Sequence, residues 1–340
     1  MHRLQDRPHK NAHTKLAYLL PLGRFLFASS LWLSKNHLKK RYDFVHVHNV
    51  PDFLVFSAWL PKLTGAKVIL DIHDILPEFY ASKFHSGRGS FGVKLLRRTE
   101  RASAQFADHV ILGNHLWLHT YVERSAPSKK CSVFINNVDA RIFSPRARAP
   151  RNGKMTVLFP GGLQWHQGLD IAIRAFAKVS AHLPQAEFHI YGDGNMKPEL
   201  LVLTRDLGLG EKVRFFDPVP VREIAAVMAA ADLGVVPKRA DSFGNEAYST
   251  KIMEFMSLGV PVVVSNTKID RFYFDDSVVK FFESGNETAL ADAVLMMLKD
   301  QPARSRMVSK GFDYVTRNSW ETRKRDYLKL VDDLCAASES

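Results

Sequence analysis

Short apolar runs recur along this chain, each separated from the next by a stretch long enough for a helix. No other feature constrains the fold as much. A strand buried on both faces reads as a continuous apolar run, and a parallel partner is reached only through a crossover of roughly a dozen residues or more. Strands are expected at 42–48 (YDFVHVH), 67–71 (KVILD), 109–112 and 131–135, with helices over 51–63, 91–106 and 115–124. The segment 146–154 (RARAPRNGK) is basic, carries Pro150 and Gly153, has no apolar period and reads as a linker. Beyond it, strands are expected at 156–159, 187–191, 213–216, 233–236, 262–264 and 278–282, with helices filling the gaps, among them 169–180 and 221–230. The fold class predicted is α/β, with two Rossmann-like, doubly wound parallel sheets facing across a cleft where ligands bind. A length of 340 residues suits two such domains.

Within that frame the stretch 241–265, DSFGNEAYSTKIMEFMSLGVPVVVS, concentrates functional residue types. A hydroxyl at Ser249 or Thr250 can cap a helix start. The helix carries Ile252, Met253, Phe255 and Met256, stops near Gly259 with Pro261 behind it, and leads into the buried strand Val262-Val263-Val264. Glu246 falls in the loop before this helix and Glu254 inside it, eight positions on. A helix N-terminus offers unpaired N–H groups and the positive end of a dipole, which suits a phosphate. Carboxylates on either side of that anion site can grip two sets of sugar hydroxyls flanking a diphosphate. A lone Glu pair at this spacing is more often solvated surface; here the preceding FG, the helix and the G-x-P-V-V-V exit supply a context.

The net charge of +12 is unevenly placed. Residues 1–41 hold nine Lys/Arg and a single acid, Asp6. Their apolar run, Leu16 to Leu33, is broken by Pro21 and Arg24, so a membrane span is not expected, and no small-residue cleavage site marks a signal peptide. A basic segment bearing Tyr18, Phe25, Phe27 and Trp32 suits an anionic membrane surface, which makes 1–41 a candidate for peripheral contact at the inner face of the membrane. The competing reading is an amphipathic helix packed on a sheet. No recognition motif accompanies the charge, so nucleic acid is not an expected partner. Cys131 and Cys335 have no metal-ligand spacing and read as free thiols in the cytoplasm.

The stretch 241–265 resembles the Glu-x7-Glu signature of the retaining glycosyltransferases of family 4, which have the GT-B fold. Ordered blocks extend the resemblance along most of the chain: HVHNVPDFLVF, ILDIHDILPEFY, FADHVI, INNVDARIF, GGLQWHQGLDIAIRAF and YGDG. It implies a first, acceptor-side domain over 1–150, a nucleotide-sugar domain over 151–315, and a closing helix within 316–340 that crosses back to the first domain. Family members open with a strand, a Gly-rich turn and a long helix. Here Met1 falls where residues well inside the first domain are expected, so that domain reads as N-terminally truncated.

The resemblance implies transfer of a sugar from a nucleotide diphosphate sugar to an acceptor hydroxyl with retention. The setting would be bacterial cell-surface polysaccharide, exopolysaccharide or glycolipid synthesis, with a glycan or lipid-linked acceptor. It gives Glu246 to the donor sugar, Glu254 to the ribose, and His73, at a predicted strand end, to the donor sugar and acceptor hydroxyl. Asp71 or Asp74 could fix the His73 tautomer. His46 and His48 share one face of a strand taken as buried, and read as structural.

The glycine loop from Gly161 and Gly162 to Gly168 allows close approach to phosphate, and Gly192 in YGDG ends a strand where the base would stack. The family's usual pattern places Arg at 162 and Lys at 167. Gly162 and Gln167 stand there instead, so Lys238 and Arg239, helped by His166, Ser249, Thr250 and Lys251 at the helix start, are expected to hold the diphosphate. No Asp-x-Asp pair ends a strand, so no metal is expected, and no cofactor besides the donor itself. Three other readings stay open: a non-catalytic or truncated partner protein of GT-B fold, a nucleotide-sugar epimerase, and a basic nucleic-acid binder.

Overall fold

The computed structural model describes residues 2–4, 15–83, 87, 89–146 and 153–336. Most of the expected linker (147–152) and part of the basic segment (1 and 5–14) lie outside these residues. The chain divides into two compact units, Met1–Ile135 with Asp326–Ser340, and Asn136–Arg325.

The first unit holds four parallel strands, β1 (Phe44–His48), β2 (Lys67–Ile72), β3 (His109–Leu112) and β4 (Cys131–Val133), paired in chain order. Every residue of β3 is buried, as its apolar run requires. The helices Phe91–Phe106 and His115–Arg124 stand where periodicity predicts them, each started by a side-chain cap, Ser90 on Val93 N and Asn114 on Trp117 N. The helix expected over 51–63 is a 3-10 segment, Asp52–Ala58, running into a short α-helix, Trp59–Leu63. A helix at Leu76–Lys83 is an addition to the expected order. Pro77 suits its first turn, where a missing N–H costs nothing.

The second unit carries six parallel strands: β5 (Met155–Pro160), β6 (Ala186–Tyr191), β7 (Val213–Phe216), β8 (Leu233–Val236), β9 (Val262–Ser265) and β10 (Lys280–Phe282). Their order is β10-β9-β8-β5-β6-β7, so winding runs outward from β5 one way and from β8 the other. Alternation along each strand divides the core between the two faces. Val157, Phe159, Val235 and Val263 pack on one face, against the helix Leu169–His182 and the helix Glu287–Lys299. Leu158, Val236, Val262 and Val264 pack on the other, against Ile252, Met253, Phe255 and Met256 of the helix Thr250–Ser257. Gly234 admits the Phe255 ring: a Cβ there would lie 2.6 Å from its edge.

The boundary between the units falls after Ile135, not near 150. The physical reason is packing, since Phe143 is buried in the second unit's core with Val138 and Ile142 against it. The last helix, Trp320–Ala336, belongs to the first unit from Asp326 onward.

Candidate active site

Strand order reverses between β5 and β8, and in an open parallel sheet ligands bind beyond the carboxyl ends of the strands at such a point. The loop leaving β5 is held close to those leaving β6 and β8 by backbone contact. Gly192, at φ 153°, lies so near Gly161 that a Cβ would come within 1.8 Å of the Gly161 carbonyl. Gly168, at φ 67°, lies equally near Pro237, with only 2.0 Å from a Cβ to the carbonyl oxygen. Only glycine permits both approaches.

The helix Thr250–Ser257 starts at this edge. Ser249 is its N-cap residue, but its hydroxyl makes no capping bond, which corrects the expectation that it would. Lys251, in the first turn, reaches back to the glycine loop. Its Nζ donates to Gln167 Oε1 at 2.8 Å and lies 4.8 Å from the centre of the Phe159 ring. A Cβ on Gly161 would meet the Lys251 Cε at 2.6 Å, so that glycine also makes room for the lysine. Burial pulls the Lys251 pKa down to about 8 against the opposing pull of Glu254. One turn on, burial raises the Glu254 carboxyl, partly offset by a hydrogen bond with Thr250 and by the Lys251 charge. Glu246 sits in the preceding loop, half-buried, its N–H bonded to Phe243 O at 3.0 Å.

The two cations expected to face a diphosphate are engaged elsewhere. Lys238 is 3% exposed; its ammonium donates to Ala247 O at 2.6 Å and pairs with the fully buried Asp270 at 3.0 Å. Arg239 grips both oxygens of Asp170, at 2.6 and 2.7 Å, and lies 4.7 Å over Trp165. Sequence position placed both at a strand end, but acids elsewhere in the chain claim them, the buried Asp270 for Lys238 and the partly exposed Asp170 for Arg239. Lys251, expected only as a helper, lies beside the loop with its ammonium on Gln167, while Arg239 also touches the loop through Trp165 O at 3.1 Å but is turned onto Asp170. His166 packs edge-on to Phe243 at 5.4 Å, and burial lowers its pKa.

In the first unit a second group forms at the ends of β1 and β2. Asn49, buried, accepts from the N–H groups of His73 and Asp74 and donates to Asp52 and to Asp74 O, which fixes the turn carrying His73. His73 Nε2 lies 2.8 Å from His48 Nδ1 and 3.5 Å from Asp71 Oδ2. Of the two acids expected to orient it, Asp71 is therefore the neighbour. The Asp74 carboxyl is pushed up to about 6 by burial. His48 is not the buried residue its strand run predicts, since its side chain is 59% exposed. His46, His48 and Asp71 place one ligand atom each within 4.8 Å of one another, which makes them a group able to hold a metal ion. The signal in the sequence is H-x-H followed by D-x-H, legible only once the register of β1 on β2 is known.

Residues 141–313 match the family described as glycosyl transferases group 1, and residues 2–137 match the glycosyl transferase 4-like domain. Phosphatidyl-myo-inositol mannosyltransferase of Mycobacterium leprae is 29% identical over 204 residues, 59% of this chain and 52% of that protein. D-inositol 3-phosphate glycosyltransferase of Thermobispora bispora is 26% identical over 289 residues, 80% of this chain and 65% of that protein. The chain spans about half the length, or less, of the first curated relatives it matches. Among solved structures, sucrose-phosphate synthase from Thermosynechococcus elongatus superposes with a TM-score of 0.76 at 20% identity, over 98% of this chain and 83% of that one. Anabaena HepE in complex with UDP gives 0.72 at 18% identity, over 92% and 84%. These likenesses bear on the fold alone, and they fit the two Rossmann-like domains of the GT-B class.

Proposed function

Because the chain belongs to the glycosyl transferases of group 1, we propose that it moves a sugar from a nucleotide diphosphate sugar to an acceptor hydroxyl with retention of anomeric configuration. The observation that carries this reading is Lys251, held by Gln167 against the glycine loop at the start of the helix that also bears Glu254. A departing diphosphate gains negative charge as the glycosidic bond breaks. A fixed ammonium and uncapped helix N–H groups therefore stabilise the transition state more than the ground state. Glu254 takes the ribose hydroxyls and Glu246 those of the donor sugar, while His73 orients the acceptor hydroxyl. In this mechanism the sugar leaves and is attacked on the same face, and the leaving phosphate accepts the acceptor's proton.

UDP is the first nucleotide to test, since HepE has been solved with UDP and with UDP-glucose. A glycan or lipid-linked acceptor, in cell-surface polysaccharide or glycolipid synthesis, agrees with a relative named as a phosphatidyl-myo-inositol mannosyltransferase. Contact with the inner face of the membrane fits the helix Lys15–Lys39. Leu20, Phe27, Leu31 and Leu38 are exposed along one stripe with Arg24 and Lys35. No helix among the described residues is long and apolar enough to cross a membrane.

Calorimetry with UDP, GDP and ADP, followed by assay of sugar transfer from the matching donor, tests the reading. One nucleotide should bind in the micromolar range and lose affinity in Glu254→Ala. Failure of all three to bind overturns the reading. Binding without any nucleotide release would favour the partner-protein reading, to which Gly162 and Gln167, in place of the usual cations, already lean.

A further inference from the structure

Side chains alternate along a strand, so His46 and His48 stand on one face of β1, and Asp71 and His73 on the matching face at the end of β2. The parallel register sets His48 beside Asp71. An H-x-H pair on one strand thus lies against a D-x-H pair on its neighbour.

Three ligand atoms converge there, those of His46, His48 and Asp71, and His73 Nε2 lies close to two of them. Asp71 Oδ2 lies 3.2 Å from His46 Nε2, 3.1 Å from His48 Nδ1 and 3.5 Å from His73 Nε2. His48 Nδ1 and His73 Nε2 are 2.8 Å apart. Ligands at about 2.0–2.1 Å around a tetrahedral zinc ion stand roughly 3.3 Å from one another, so the three separations from Asp71 match edges of such a site, while the 2.8 Å contact between His48 and His73 must open for an ion to enter. The remaining ring nitrogen of His46 meets the Tyr327 hydroxyl at 2.8 Å, which points Nε2 inward, as an outer partner does for a metal-bound histidine. The exposed His48 leaves an entry path from solvent. His46 and His48 stack with centroids 4.5 Å apart, so their rings must turn about χ2 to aim both nitrogens at one point.

We propose that His46, His48, Asp71 and His73 form a binding site for a divalent cation of the zinc class. Three imidazoles and one carboxylate suit zinc or cobalt, whereas magnesium and calcium take oxygen ligands. The site draws on the first unit alone and does not depend on the donor reading. It shares His73 with the proposed acceptor site, so an ion and an acceptor hydroxyl compete for that imidazole.

The test is titration of metal-free full chain with cobalt(II), read by visible absorption. The expected result is one equivalent bound with the intense bands of tetrahedral cobalt, displaced by one equivalent of zinc. His48→Ala and Asp71→Asn should each lose those bands and weaken zinc binding by about 10-fold or more, while His182→Ala, on an exposed helix end, should match the parent. A rise in melting temperature with zinc but not with magnesium provides a second readout that needs no variant. Absence of the bands and of the melting shift in the parent chain, or equal zinc affinity in all variants, overturns the site and leaves the cluster as a proton-sharing network. None of these readouts uses turnover, so their failure is separate from failure of the transferase reading.

Discussion

Replacing Lys251 with Met keeps the apolar stem over Phe159 and removes the ammonium. With its pKa at about 8, Lys251 is protonated by about ten to one at pH 7. A unit negative charge about 4 Å away, at an effective dielectric near 20, gains about 4 kcal/mol. A diphosphate oxygen must displace Gln167 from that ammonium, at 2.8 Å, which lowers the net gain toward the 1.5–3 kcal/mol of an ordinary charged hydrogen bond. Nucleotide diphosphate binding should therefore weaken by about 10- to 150-fold. Stability should move the other way. A lysine whose folded pKa lies below its ordinary 10.5 destabilises the fold while charged. That cost is fully present below about pH 8 and vanishes as pH rises toward 10.5. At pH 7 it amounts to at most about 3 kcal/mol, so Lys251→Met should melt no lower than the parent chain. Calorimetry with UDP at pH 7 and pH 9, alongside thermal melts, checks both signs. Parent affinity should fall between those values as Lys251 loses its proton, and the variant's should not. Equal affinity in parent and variant would refute the reasoning. So would joint loss of affinity and several degrees of melting temperature, which would make Lys251 a brace for the loop.

Three further outcomes are expected. Glu254→Ala should weaken nucleotide binding by about 10-fold or more, the loss of a charged bond to a ribose hydroxyl, whereas Glu246→Ala should lower turnover more than affinity, measured with donor titrations. Lys238→Met should leave Asp270 buried and unpaired and cost about 3–5 kcal/mol in denaturant unfolding, with Lys238→Met/Asp270→Leu recovering most of it; equal stability of the single and double variants contradicts the pairing. Neutralising Lys35, Lys39, Lys40 and Arg41 should reduce co-sedimentation with anionic vesicles, at roughly 1 kcal/mol per basic residue near the surface, and unaltered sedimentation would remove the membrane reading.

Strands and helices were legible because their signals are local. The helix His115–Arg124 and the strand Val213–Phe216 follow from periodicity and capping residues. The segment at 51–63 was not, since Pro51 and Pro61 bracket it and a 3-10 turn satisfies the same apolar spacing. Sequence position put Lys238 and Arg239 after β8 and Lys251 in the first turn of the helix, where they stand, but could not say which way their cations turn. Lys238 is settled by Asp270, thirty-two positions on, and Arg239 by Asp170, sixty-nine back. Both acids look like ordinary surface residues in the sequence. His48 was misread for a related reason: a strand run signals burial along its length, but β1 is an edge strand, half-buried up to its last residue, which is exposed though still paired with Asp71.

The bond from Lys238 to Ala247 ties the two ends of the loop that carries Glu246. Inside it, Asn245 donates to Ala240 O and Gly244 to Asp241, while Ser284 bonds to both Ala240 N and Lys238 O. A loop knotted this way tolerates new side chains at exposed positions such as Ser242 far better than a change of length, because one inserted residue would pull the Ala247 carbonyl off the buried Lys238 ammonium and leave it with Asp270 as its one partner among the described residues. Descendants of this sequence would be expected to vary by point substitution along the loop, and to keep the count of residues between Lys238 and Ala247 fixed.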